Sequence, residues 1–367
     1  MRFVDAHTHL ELFALKTIPI ESATSKEDLI GMIQSAEDKP VIAWGWNEES
    51  LGEDLTKNDI NGFPFPVLLI RIDGHVGVVN DRVIGDFNLE PSQNFDAEKG
   101  YVFEKLLRYL ASSLKPKDIT KPLLQAQREG LSRGILEVHD FVDHNTARTY
   151  FMIREKGDLQ LNVVLMPYYK DYNRILELFD VYGGDESIQM GWVKAFVDGS
   201  IGARTAYLKE SYSDRVSRGN LLIPEDQLIS IISELEKKGL RISMHAIGDG
   251  AIEAAVNSLE KANINLKGHR VEHAEMINAD QVKRLSEMGV TLCVQPNFNV
   301  VFMKTYQKAL GEERACSINP LRMLDEMNAS IIFGSDMMPF DPEVGLNYAS
   351  GILGNEKALF YYGGWKS

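Results

Sequence analysis

One alternation constrains this chain more than any other feature. From Trp192 onward, short apolar runs ending in a polar residue alternate with segments whose apolar residues recur every three or four positions. Residues 192–197 form the first run. Pro224-Glu-Asp then opens a helix carrying Leu228, Ile231, Ile232 and Leu235, stopped at Lys237-Lys-Gly239. The pattern continues with a run at 240–245, a helix with Ile252, Ala255, Val256 and Leu259, and a run at 270–273. A helix between Asn278 and Gly289, a run at 290–295, a helix from Asn319-Pro320 to near Asn328, and a run at 330–336 complete it. Strands separated by such helices must be parallel with crossover connections, so the class is α/β. Earlier runs at 3–9, 134–139 and 161–166 raise the count to eight, which favours a closed (β/α)8 TIM barrel over an open sheet.

Between the first two of these runs lie residues 11–124. They are not of low complexity: Thr24-x-x-Glu27 reads as a helix cap, strands are expected at 41–46 and 67–73, and a helix at 101–114. A structureless loop of that length would be exceptional. The reading is one barrel over 1–367 with a folded insertion at 11–124.

Charge and cysteine usage narrow the class. Thirty-nine basic against 53 acidic residues leave a net charge of −14, and the densest basic stretch, 115–121, also holds Asp118. A polyanion would be repelled, so nucleic acid is not an expected partner. The longest apolar runs, such as 63–70, fall far short of the ~20 residues of a spanning helix, and the first twenty residues hold no secretory core. Only Cys293 and Cys316 are present, without a CxxC pair, which fits a reducing cytoplasm and excludes a thiolate zinc knuckle. The expectation is a cytoplasmic protein, away from membranes, acting on a small molecule; a homo-oligomer is compatible with it.

The chemistry concentrates at run ends. In Asp5-Ala-His7-Thr-His9, residues two apart on a strand share a face, so His7 and His9 can bind one metal together. His245, His273 and Asp336 end later runs, and Lys194 lies in the run before His245. Singly, each histidine reads as structural and Asp336 as a helix cap. Gathered at the C-terminal mouth of one barrel, they read as a metal centre. A lysine ammonium, with an unperturbed pKa of ~10.4, would repel a cation. Reaction with CO₂ would turn Lys194 into an anionic carbamate able to bridge two ions; an unmodified Lys194 binding a substrate anion is the alternative.

These motifs resemble the amidohydrolase superfamily, and within it the amidohydrolase-3 (YtcJ-like) branch. The resemblance rests on the HxH strand, Gly45-Trp46-Asn47, Arg71-Ile-Asp-Gly-His75 with Asn80, Val193-Lys-Ala-Phe-Val-Asp-Gly-Ser200 and Gly202-Ala-Arg204-Thr-Ala206. His245-Ala-Ile-Gly-Asp249, Arg270-Val-Glu-His273 and Gly334-Ser-Asp336 extend it from residue 3 to about 350. It implies that His7, His9, Lys194, His245, His273 and Asp336 hold one or two divalent ions, with zinc the expected metal. It also implies a metal-activated water that cleaves C–N bonds in amides, ureas or N-acyl compounds, with Asp336 as proton shuttle. Relatives carry flanking strands that build a small β-sandwich; this chain begins at the HxH strand and ends about thirty residues after Asp336, so that subdomain is expected to be absent or minimal.

Further residues are candidate substrate contacts: His75 and Asn80 in the insertion, Trp46 if not core, His139 at a strand end, and Arg204 if not paired with an acidic neighbour. His144 and His269 read as structural, and Gly248-Asp-Gly250 as a turn. Ester, lactone or phosphotriester hydrolysis on the same ligands is the chemical alternative. A non-catalytic barrel serving binding or assembly is the alternative of another class.

Overall fold

A computed structural model describes residues 2–15, 18–37, 39–115, 117–262, 264–265 and 267–363. The chain divides into two compact units, residues 1–10 with 124–367, and residues 11–123. No described helix is long and apolar enough to cross a membrane.

The first unit opens with β1 (Phe3–Thr8). The second unit then holds one sheet of five strands in the order β2 (Val41–Trp46), β3 (Val67–Arg71), β4 (Val76–Val79), β6 (Tyr101–Phe103), β5 (Phe95–Asp96). Its β2–β3 pair is parallel and the rest antiparallel. Leu29, Ile33, Val41, Ala43, Val67, Leu69 and Val78 are buried together in its core. Two local readings are corrected here. The helix Lys26–Ser35 is capped one residue later than expected, by Ser25, whose hydroxyl accepts from Asp28 N, while Thr24 N donates to the Asp28 carboxylate. Tyr101-Val-Phe103 is a strand, and the helix begins only at Glu104, because aromatic and β-branched residues suit the sheet edge better than a first helical turn.

The first unit carries two parallel sheets. One runs β1, β7 (Ile135–Val142), β8 (Asn162–Pro167), β9 (Ile188–Met190); the other runs β10 (Val193–Phe196), β11 (Ile242–Ala246), β12 (Arg270–His273), β13 (Thr291–Val294), β14 (Ser330–Phe333). All seven ladders are parallel, as the crossover helices require. The run expected at 192–197 is thus the second half of a strand interrupted at Gly191-Trp192. Around that break Gly191 N donates to Leu165 O at 2.8 Å and Tyr169 N to Lys194 O at 3.0 Å. Between β14 and β1 no ladder forms among the described residues; beyond the end of β14, Asp336 N donates to His7 O at 2.8 Å. The fold is therefore α/β with two parallel sheets, linked among the described residues by an isolated parallel Tyr168–Lys194 bridge.

Candidate metal centre

Parallel registers bring the strand ends level. Phe196 on β10 lies opposite His245 on β11, and Ala246 opposite His273 on β12. Along β12, Arg270 and Glu272 share a face by alternation, so His273 would turn away. It does not, because its backbone is left-handed (φ 70°), as is that of Ala274 (φ 49°). The His273 ring centroid consequently lies 4.5 Å from that of His245 and 4.6 Å from that of His7. Asp336 is likewise not on its strand. β14 ends at Phe333, and Asp336 and Met337 form a left-handed turn (φ 50° and 63°) beyond it. Non-glycine residues in this region cost of order 1–3 kcal/mol each and persist where surroundings over-determine them. Gly334 permits the approach: a Cβ there would lie 2.5 Å from His7 N and Cβ.

Asp336 Oδ1 is 3.5 Å from His7 Nε2 and 3.4 Å from His9 Nε2. One ligand atom from each of these three residues lies within 4.8 Å of the others. Each imidazole is held through its other nitrogen. His7 Nδ1 donates to Glu272 Oε2 at 2.7 Å, His9 Nδ1 meets the Tyr168 hydroxyl at 3.3 Å, His245 Nε2 donates to Gly199 O at 3.0 Å, and His273 Nδ1 to Gln295 Oε1 at 2.9 Å. This pattern leaves Nε2 of His7 and His273, and Nδ1 of His245, as lone-pair donors, while the hydroxyl partner leaves the His9 tautomer open. Burial first, and then the Lys194 ammonium, holds His7 well below the usual histidine range; burial and His7 do the same for His273. Both are neutral, as metal ligands must be.

Lys194 is buried with its ammonium 3.9 Å from the Phe141 ring centroid and 5.1 Å from that of Phe196, and no described residue hydrogen-bonds it. Burial lowers its pKa to about 8. His7 Nε2 is also buried without a hydrogen-bond partner among the described residues. The orphaned Nε2 of His7, beside a carboxylate and other imidazoles, fits a divalent cation, whereas Lys194 as an ammonium opposes one.

The substrate-contact candidates fare differently. His139 does not end its strand, because β7 continues through Phe141-Val142; its Nε2 meets Glu137 at 3.2 Å and its Nδ1 accepts from Arg270 at 2.8 Å. It belongs to a buried charged layer, not to the mouth. Arg204 pairs with Asp214 through Nε (3.0 Å) and Nη2, the acidic-neighbour alternative. Trp46 lies in the core of the second unit and donates to Leu69 O at 3.0 Å. Asn80 caps the helix Asp81–Asp86 and accepts from Val67 N, which is structural work. His75 lies in the turn between β3 and β4, its N donating to Asp73. Among those read as structural, His269 Nδ1 accepts from Ile242 N, and His144 Nδ1 lies 3.2 Å from Arg174.

Sequence reasoning passed over Glu272, Arg270, Tyr168, Gln295 and Asp5. Asp5 is fully buried, accepts from His7 N and Ser335 N, and burial raises its pKa to about 6. For Arg270 and Glu272 a signal existed: two charges alternating with Val271 inside an apolar strand must pair with each other.

An α/β protein whose strand ends gather imidazoles and a carboxylate around one point belongs to the class built to hold a catalytic cation. The chain belongs to the amidohydrolase family, whose model matches residues 3–351. It is 26% identical over 389 residues to YtcJ of Bacillus subtilis (strain 168), which carries an amidohydrolase name; the match covers 95% of this chain and 72% of that one. Among solved structures it is similar to an uncharacterized metal-dependent hydrolase from Pyrococcus furiosus (30% identity, TM-score 0.78, 98% of this chain and 80% of that one). Another, from Pyrococcus horikoshii OT3, matches at 28% identity and a TM-score of 0.80, over 98% and 79% of the two chains. Family and solved relatives together support a metal-dependent hydrolase.

Proposed function

We propose that the chain hydrolyses a C–N bond, in an amide, urea or N-acyl group of a small molecule, using one or two divalent ions. The observation that carries this reading is the approach of His7 Nε2 and His9 Nε2 to Asp336 Oδ1, at 3.5 and 3.4 Å, inside a buried cluster. His7, His9 and Asp336 would hold one ion, His245 and His273 a second. Imidazole and carboxylate ligands without thiolate suit zinc. When bound, such an ion supplies Lewis acidity and makes water acidic enough to act as a nucleophile near neutral pH.

The chain's own residues do the rest. His7 and His273 stay neutral, held there by burial, and His7, His245 and His273 are oriented by their hydrogen bonds. Asp336 is turned to the cluster through Oδ1; Oδ2 takes the proton of the attacking water and returns it to the leaving nitrogen. Phe141, stacked on His9 and against His7, keeps water from their flanks. Lys194, with its pKa lowered to about 8, has a neutral amine fraction that can react with CO₂, and the resulting carbamate would supply anionic charge where an ammonium would oppose the cation. We also infer that the parallel sheets close into a (β/α)8 barrel through the Tyr168–Lys194 bridge and the Asp336–His7 bond, with residues 11–123 as an insertion after β1.

The test is a hydrolysis screen of the zinc-loaded and chelator-stripped protein over amide, urea, N-acyl, ester, lactone and phosphotriester panels. Zinc-dependent turnover of C–N substrates is expected. Turnover confined to esters or phosphotriesters would replace the bond class. Neither turnover nor bound metal would leave the non-catalytic barrel.

A further inference from the structure

His7 and His9 offer the same atom to the same carboxylate oxygen, yet different groups hold them from behind. Behind His9 stands the hydroxyl of half-buried Tyr168, at 3.3 Å. Behind His7 stands the Glu272 carboxylate, at 2.7 Å, with neither side chain exposed at all. A phenol can donate or accept, so it leaves the tautomer of His9 open. An ionised carboxylate only accepts, so it admits His7 only with the proton on Nδ1.

We propose that Glu272 is a positioning residue: it fixes the His7 tautomer, aims Nε2 into the cluster, and makes His7 the anchoring ligand of the cation. The inference rests on the metal-centre reading given above. Glu272 is held for this task from every side. Its Oε1 accepts from Arg270 Nε at 2.8 Å and Ser243 Oγ at 2.6 Å; its Oε2 accepts from His7 Nδ1 and from Arg270 Nη2 at 2.9 Å. Four donors on two oxygens leave the carboxylate no freedom to swing.

Arg270 is itself braced. Its Nη2 also donates to Ala6 O at 2.8 Å, on the residue preceding His7, and its Nη1 donates to His139 Nδ1, whose Nε2 donates to Glu137. The bracket therefore grips both the ring of His7 and the backbone beside it. The same geometry argues against Glu272 as a ligand. His7, Glu272 and Cys293 also lie close enough to hold an ion, but one placed there would displace a donor from a saturated carboxylate beside a buried guanidinium.

The experiment uses the full chain and zinc. Zinc affinity is measured by chelator competition for the wild type, Glu272→Gln and Tyr168→Phe. Removing a carboxylate behind a ligating histidine typically costs 10–100-fold in metal affinity, so that loss is expected for Glu272→Gln, with less than about threefold for Tyr168→Phe. A folded Glu272→Gln protein with wild-type zinc affinity overturns the proposal, while zinc binding by the wild type in the same titration leaves the metal centre standing. A wild type that binds no zinc overturns both. Glu272→Gln also strips buried Arg270 of its countercharge, so a second measurement avoids the variant altogether. Side-chain nitrogen NMR of histidine-labelled wild type, with His7 assigned by its loss in His7→Asn, reports the tautomer directly. The Nδ1–H form, with and without zinc, is expected; an Nε2–H form in the zinc-free protein overturns the proposal even if no Glu272 variant folds.

Discussion

The two units spend their buried polar groups in opposite ways. In the second, the conspicuous motif residues are consumed by the fold. Trp46 ties β2 to β3, Asn80 caps a helix and closes the turn before β3, and Arg71 is clamped between Glu48 and Asp73. In the first, His7 Nε2 and Lys194 Nζ are buried without hydrogen-bond partners among the described residues, and His273 and Asp336 sit on left-handed backbone. A motif is thus ambiguous until its polar atoms are followed. Motif side chains bonded into the surrounding fold mark architecture, whereas a cluster that combines orphaned nitrogens with neighbours on left-handed backbone marks chemistry.

The sharpest way to break this contrast is to remove the architecture. Trp46→Ala should cost about 3–5 kcal/mol of stability, read from the denaturant midpoint, because a buried indole leaves a cavity and an orphaned carbonyl. A loss below about 1 kcal/mol would take Trp46 out of the architectural group. Next in size is Asp336→Asn, which keeps the shape but removes the base. Turnover on a substrate from the hydrolysis screen should fall by about 10² or more while the fold is retained, and near-normal rates would strike Asp336 from the chemistry. Asn80→Ala should cost about 1–2 kcal/mol, the worth of a cap plus the hydrogen bonds lost, with no change in zinc affinity; a drop in affinity would undo the architectural assignment.

The smallest effect tests whether polar networks of the first unit away from the cluster behave as architecture. Burial pushes Glu253 up, but hydrogen bonds from Arg284, Gln281 and Lys209 outweigh it and bring its pKa to about 2. The unfolded chain, with Glu253 near 4.5, takes up its proton first, so this contribution is present above pH 4.5 and lost as pH falls toward 2. Solvent screening limits it to about 1 kcal/mol. Glu253→Gln should flatten the acid limb of the stability curve by that amount, and an unchanged limb would show that the network contributes nothing.

Much of the fold was legible because period-two and period-3.6 patterns differ so plainly in the first unit. β12 begins and ends where the pattern puts it, and the other strands shift by a few residues at their ends. What was not legible depends on conformation rather than composition. Nothing in Arg270-Val-Glu-His announces a left-handed histidine, so the side-by-side placement of Glu272 and His273 could not be read from alternation. His139 looked terminal because the polar pair His139-Asp140 reads as the end of the apolar run, although the strand continues through Phe141-Val142. The strand at Ile188–Met190 was not read from the sequence at all, and the break at Gly191-Trp192 separates it from β10. Conversely, the grouping of His7, His9, His245, His273, Lys194 and Asp336 in one unit needed only strand order.

The interrupted first unit sets a clock. β1 carries His7 and His9, but its partner β7 begins 132 residues later, after the whole of residues 11–123. At about 5–20 residues per second of synthesis, β1 waits about 7–26 s for the strand that pairs with it. Through that interval two imidazoles capable of binding metal are exposed on an unpaired edge while residues 11–123 emerge. Glu272 and Asp336 arrive later still. During synthesis, the centre therefore gains Glu272 and Asp336 only 265 and 329 residues after His7.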